Sequence, residues 1–255
     1  MLPLYDDQPR RSTAYVTYSI IAVNLAVFAY QFRLAMQDPR AWDAFLTLHA
    51  EVPHHFQLAF QGSPQYSIAG AFLTILTSMF MHGGWLHVLG NMWFLRIFGD
   101  NIEDHLGHAT YAVFYLFCGF VASMAQLFVD PTSDIPMLGA SGAIAGIMGA
   151  FLLRYPQARI RVYWFYSLIW MSAYAMLFYW FALQFLGQLL AQNVASRMHT
   201  HVGGVAYMAH LAGFVTGLVL IKLIPGRADY AYGAWTKNAP PPPEANPSAQ
   251  IPPTV

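Results

Sequence analysis

Six apolar runs, at residues 14–35, 83–101, 109–129, 140–155, 162–190 and 202–224, are each long enough, or nearly so, to cross about 30 Å of hydrocarbon. That pattern leaves few options. Hydrocarbon offers no partners to backbone N–H and C=O groups, so a spanning segment must satisfy them internally as a helix or in a closed barrel. Runs of this length fit helices, and the expected fold is an all-α membrane protein, a six-transmembrane-helix bundle. Composition agrees: 57% of residues are apolar and 9% charged, against roughly 25% charged in soluble domains. The first run is too long for the apolar core of a secretory signal, and no small-residue cleavage site follows it. It reads as a retained span.

Between the first two runs, residues 36–80 mix Trp42, Phe45, His54, His55, Phe56 and Phe60 with Pro53 and Pro64. This segment is too broken to span and too apolar to float free, which predicts a membrane-associated loop. Orientation follows from the basic residues. With the N-terminus cytoplasmic, nine lysines and arginines lie on inner segments and three, Arg33, Arg40 and Arg197, on outer ones. The expected organisation is a cytoplasmic N-terminal segment (1–13), a six-helix domain (14–225) and a Pro-rich, disordered cytoplasmic tail (226–255). Net charge is zero with no basic block, so a nucleic-acid partner has no footing. Cys118 is the sole cysteine and sits in an apolar run, which excludes an internal disulfide and argues against a thiolate metal site.

Polar residues inside apolar runs are costly and usually functional. Ser141 lies fifteen residues before Pro156, and His210 fifteen before Pro225, each proline closing a run of the same direction. At 1.5 Å per residue, both lie roughly 22 Å from the inner boundary, so they can meet. Gly142, Gly146, Gly149 and Ala150 on one helix, and Ala209, Gly213 and Gly217 on the other, form small-residue stripes that permit close approach. The fourth run is short, so residues 136–140 must dip into the bilayer to deliver Ser141, beside a water-filled cavity open to the outer side. His87 and Asn91, four residues apart, share a helix face. They can either donate to an oxyanion together with the Ser141 amide or cross-link helices. No Asp or Glu falls within the fourth or sixth run, which favours a Ser-His dyad over a triad; Asp130 and Asp134 lie in the outer loop and could reach only if that loop folded deeply.

Three ordered motifs resemble those of the rhomboid family of intramembrane serine proteases. They are His82-Gly83-Gly84-Trp85-Leu86-His87-Val88-Leu89-Gly90-Asn91, Gly139-Ala140-Ser141-Gly142 and Ala209-His210-Leu211-Ala212-Gly213. Residues 98–104, Phe-Gly-Asp-Asn-Ile-Glu-Asp, are similar to the end of the second helix in bacterial members. The resemblance implies a serine endopeptidase in the bacterial inner membrane. It would cut transmembrane segments of single-span or multi-span substrates near their outer ends, without metal, ATP or organic cofactor. It implies Ser141 as nucleophile, His210 as base, and His87, Asn91 and the Ser141 amide as oxyanion hole. It also assigns substrate access to the fifth span, Tyr163 to Phe185, and residues 186–200. Some members carry, four residues after the serine, a tyrosine that packs on the base; Ala145 stands here, so another side chain must support His210. The family's Trp-Arg feature in the first loop has no counterpart in Arg40-Ala41-Trp42. Two rivals are a non-catalytic rhomboid-like client binder and a His-based metal or haem protein. Retention of both Ser141 and His210 argues against the first. The separation of His199 and His201 from His105 and His108 argues against the second.

Overall fold

The computed structural model describes residues 1–198 and 205–226. The Pro-rich tail beyond Gly226, together with His199 and His201, lies outside the described residues. The chain forms strand β1 (Leu2–Asp6), helices α1 (Tyr15–Gln37), α2 (Pro39–His49), α3 (Pro53–Phe60), α4 (Ile68–Ser78), α5 (Trp85–Leu106), α6 (His108–Val129) and α7 (Ser141–Arg154), strands β2 (Arg159–Trp164) and β3 (Ser167–Ser172), and helices α8 (Ala173–Met198) and α9 (Tyr207–Leu223). Among the described residues, α1, α6 and the Ala173–Val194 part of α8 are long and apolar enough to cross a membrane, while α4, α7 and α9 are shorter apolar helices. The core is built mainly from α5, α6 and α7, with Leu95, Phe98, Tyr111, Tyr115, Ile147 and Phe151 fully enclosed.

Two departures from the sequence reading have clear causes. First, the chain is not purely helical. Residues 159–172, of which 162–172 are read from the sequence as the start of the fifth span, form an antiparallel hairpin that β1 joins to give a sheet in the order β1-β2-β3. Ile160 and Val162 alternate with more exposed residues, and β-branched and aromatic side chains favour a pleated strand over a helix. The N-terminal segment is therefore part of the folded body rather than a separate piece. Second, α5 does not stop near residue 101 but runs to Leu106. Its acidic end caps the start of α1. Glu103, fully buried, accepts the Val16 and Thr17 amides at 2.8 and 2.7 Å, and Asp104 accepts the Ser12 amide at 3.0 Å. Ala14, at the α1 N-terminus, has no side chain able to do this, so a carboxylate from α5 meets the unpaired amides and the positive end of the helix dipole.

The 36–80 segment folds as three short helices with a small core of its own: Phe56, Ala59, Ala71, Ile75 and, from α6, Leu127. It anchors the loop before α7. Met137 N–H donates to Glu51 C=O at 2.7 Å and Gly139 N–H to Ser78 C=O at 2.9 Å. The irregular backbone ahead of Ser141 is thus paired by protein, as a bilayer-embedded loop requires.

α7 and α9 form the closest helix pair of the bundle. A Cβ on Gly213 would strike the Gly142 carbonyl, one on Gly217 the Gly146 carbonyl, and one on Gly149 the Phe214 carbonyl. Backbone meets backbone along this seam. On the other side, α5 and α8 do not pack against each other along their length. The sheet stands between them, with β1 against α5 and both hairpin strands against α8. Trp93 of α5 donates from its indole N–H to Pro3 C=O, and Trp164 packs edge-on against Tyr179 of α8 at 5.7 Å between ring centroids.

Candidate active site

Ser141 is the first residue of α7, and His210 occupies the first turn of α9. Pro156 and Pro225 each follow their helix end by two residues, so counting back from them places both side chains at one level. The glycine seam then brings the helices close enough for contact. Ser141 Oγ–H donates to His210 Nε2 at 2.7 Å. On the far side of the ring, His210 Nδ1–H donates to Gln184 Oε1 of α8 at 2.8 Å, and the Trp180 ring lies 5.9 Å from the imidazole.

His87 and Asn91, one turn apart on α5, face the same space. Gly83 N–H donates to His87 Nδ1 at 3.4 Å, which leaves Nε2 as the protonated nitrogen. Asn91 is buried and its Nδ2 has no hydrogen-bond partner among the described residues. Both point at Gly139: a Cβ there would sit 2.8 Å from His87 Nε2 and 3.5 Å from Asn91 Nδ2. Gly139 also has φ +123°, a conformation side chains disfavour. Glycine is doubly required at the turn that leads into Ser141.

These groups open onto a cavity of about 410 Å³ lined by Gly83, His87, Asn91, Ser141 and His210, together with Gln126, Asp130 and residues of the 133–138 loop. A second opening, of about 220 Å³, lies between α5 and α8, where Leu86, Gly90 and Phe94 face Trp180 and Gln184 with Ser141 and His210 at its back. A third, small chamber behind Ser141 contains Glu51, Ser78 and Ser123. Burial pushes the Glu51 carboxyl up to about 7, partly offset by hydrogen bonds from Ser123 and Ser78.

The arrangement holds a hydroxyl, a base whose lone pair faces it, and donors with unspent capacity in a space that reaches both the outer loops and the flank of the bundle. Such a set can perform acyl transfer. Asp134 is engaged elsewhere, with His54 Nδ1 at 2.7 Å, and no carboxylate contacts His210 among the described residues. His105 and His108 have separate partners, Arg154 and Glu103. Sequence reasoning named Ser141, His210, His87 and Asn91, and the structure brings all four together. It did not name Gln184, Trp180 or Glu51. The signal for the first two was present as a repeat of Trp180, Gln184, Gln188 and Gln192 at every fourth position in an otherwise apolar run. The side chains beside His210, where Ala145 stands in place of a tyrosine, are Trp180 at 5.9 Å between ring centroids and Gln184, which makes the hydrogen bond.

With this geometry in hand, the comparison with known proteins is direct. Residues 69–227, more than half of the chain, match the Rhomboid domain. The chain belongs to the rhomboid family. It is 29% identical over 166 residues to the chloroplastic Rhomboid-like protein 11 of Arabidopsis thaliana, covering 60% of this chain and 53% of that protein. It is 30% identical over 158 residues to RHOMBOID-like protein 1 of the same plant, covering 62% of this chain and 36% of that protein. Mitochondrial Rhomboid protein 1 of Saccharomyces cerevisiae is 26% identical over 154 residues, covering 59% of this chain and 39% of the yeast protein. The rhomboid match takes in α4 to α9 and excludes β1 and α1 to α3.

Proposed function

We propose that this rhomboid protein is an intramembrane serine endopeptidase with a Ser141-His210 dyad, acting on transmembrane segments of single-span or multi-span proteins near their outer ends. The observation that carries the reading is the 2.7 Å hydrogen bond from Ser141 Oγ to His210 Nε2, facing the unpartnered Asn91 amide across one cavity.

In the proposed reaction, His210 Nε2 takes the Ser141 proton as Oγ attacks the scissile carbonyl. The oxyanion accepts hydrogen bonds from Asn91 Nδ2, His87 Nε2 and the Ser141 amide, which at a helix N-terminus has no intrahelical partner. Collapse of the tetrahedral intermediate cleaves the C–N bond, and the imidazolium hands its proton to the leaving amine. Water from the outer cavity then hydrolyses the acyl-enzyme by the same steps in reverse roles. The residues at the site supply nucleophile, base and donors, and the proposed mechanism calls for no metal or cofactor.

We further read the chain as six-spanning, with α1, α5, α6, α7, α8 and α9 as the spans and both termini cytoplasmic, on the strength of the basic-residue bias. The bacterial inner membrane is the proposed location, resting on the motif at residues 98–104. The test is reconstitution in liposomes with a panel of single-span substrates. Wild type cleaves at least one, while Ser141→Ala and His210→Ala are folded and inactive. Cleavage that persists in Ser141→Ala sinks the mechanism, and binding of a span without cleavage by wild type favours a client-holding role.

A further inference from the structure

The hydrogen bond at His210 Nδ1 has a consequence for the base. Gln184 Oε1 carries no proton, so the nitrogen facing it at 2.8 Å must be the protonated one. That fixes the lone pair on Nε2, the nitrogen facing Ser141 Oγ. In the opposite tautomer, Nε2–H would point at the hydroxyl, and the ring could not accept its proton. Trp180, one turn earlier on α8, lies beside both the imidazole and Phe214, so the same helix face also limits the tilt of the ring.

We infer that Gln184 is a positioning residue for the proposed proteolysis, holding His210 in its reactive tautomer from α8. The inference rests on the protease reading above. A neutral acceptor suits the place: a carboxylate would favour the imidazolium more strongly, but at the cost of a charge on a helix that faces lipid. The base and its orienting partner sit on different helices. Among the described residues α8 leans mainly on α9, where Gly187 leaves room for the Tyr207 ring, and to a lesser extent on α7. The opening between α5 and α8 leads to the same site, with Gln184 in its wall. A lateral displacement of α8 large enough to widen that opening lengthens the Gln184–His210 bond. The base is therefore held in its reactive form only while α8 is seated on α9.

The test compares full-length wild type, Gln184→Leu and Gln184→Glu. Two readouts are taken: ¹⁵N chemical shifts of labelled His210, assigned with His210→Ala, and the rate at which a small fluorophosphonate modifies Ser141. Wild type shows one tautomer, with Nε2 unprotonated. The leucine variant shows a tautomer mixture and labels roughly 10- to 100-fold more slowly, at unchanged melting temperature. The glutamate variant keeps an acceptor oxygen, recovers most of the rate, and moves the acidic limb of the pH–rate profile to higher pH, because the carboxylate favours the imidazolium. A small reagent does not need the lateral opening, so an effect on gating alone leaves labelling unchanged. Wild-type tautomer and wild-type labelling in Gln184→Leu overturn the inference. A tautomer shift in a protein whose wild type never labels removes the protease reading and leaves the positioning role standing.

Discussion

The two flanks of α7–α9 are built on opposite principles. On one, Gly149, Gly213 and Gly217 press against the carbonyls of Phe214, Gly142 and Gly146 across the α7–α9 contact, while Gly142 and Gly146 make room for Ala122 and Cys118 of α6. On the other, β1 packs against α5 and the hairpin against α8, and an opening lies between the two helices. The seam sets Ser141 and His210 at hydrogen-bond distance, while the opening on the sheet flank is, in the proposed reading, the way in for a long substrate. The difference suggests a division of labour: geometry that must not change is set by small residues, and geometry that must yield is carried by α8. Gln184 belongs to the second group although it acts on the first.

The comparison can be broken most directly at the seam. Gly217→Leu drives a side chain into the Gly146 carbonyl, a collision with backbone that neither helix can relieve by a rotamer change. We expect a loss of about 3 kcal/mol or more, read as a large fall in melting temperature in detergent, together with loss of Ser141 labelling. A variant that stays as stable as wild type would show that the helices are less tightly apposed than the glycines imply. A smaller effect is expected where the seam meets α5. Asn91→Ala removes a donor without moving a helix, so kcat falls by roughly 10²- to 10³-fold while the melting temperature stays within a degree or two of wild type. His87→Ala should behave alike and lose less. Equal falls in stability and rate in either variant would assign these residues to helix packing instead.

The smallest expected effect lies at the sheet. Asp6, at the end of β1, accepts hydrogen bonds from the Gln8 amide at 2.8 Å and from Asn101 Nδ2 at 3.2 Å. Burial nonetheless raises its carboxyl to about 6, against an ordinary 3.8. The docked strand thus binds a proton more tightly than the free strand. Docking is strongest when Asp6 is protonated, weakens as pH rises from about 4 through about 6, and is constant above that. Hydrogen-exchange protection of the β1–β2 amides, corrected for intrinsic rates, should fall over that interval, and Asp6→Asn should flatten the dependence. Protection across the α7–α9 seam should not follow the same curve, because the close contacts there are between glycine backbones.

Much of the seam was legible in the sequence and little of the sheet flank. Pro156 and Pro225 fixed a common depth for Ser141 and His210, and the glycine stripes announced close approach, because both signals are local and obey helical spacing. Most of the hairpin, residues 162–172, was hidden at the start of an apolar run long enough to be read as a helix. Their turn adds to the difficulty: Phe165 and Tyr166 carry φ of 40° and 65°, where a two-residue hairpin normally places Asn or Gly. Without those turn residues the hairpin had no punctuation. The α5 extension was missed because Glu103 and Asp104 look like a polar stop until α1 is known to need a cap. Gln184 stood in a visible four-residue repeat but had no readable role for a related reason. An amide on an apolar helix gains meaning only when its neighbour is known to be a base.

The central claim is that Ser141 is a nucleophile activated by His210. The most direct measurement is intact-mass and peptide-mapped labelling of the full-length protein with a fluorophosphonate in lipid. The account predicts a single adduct on Ser141 in wild type, absent in Ser141→Ala and at background in His210→Ala. Labelling of Ser141 that is unaffected by His210→Ala, or an adduct mapped to another residue, would contradict it.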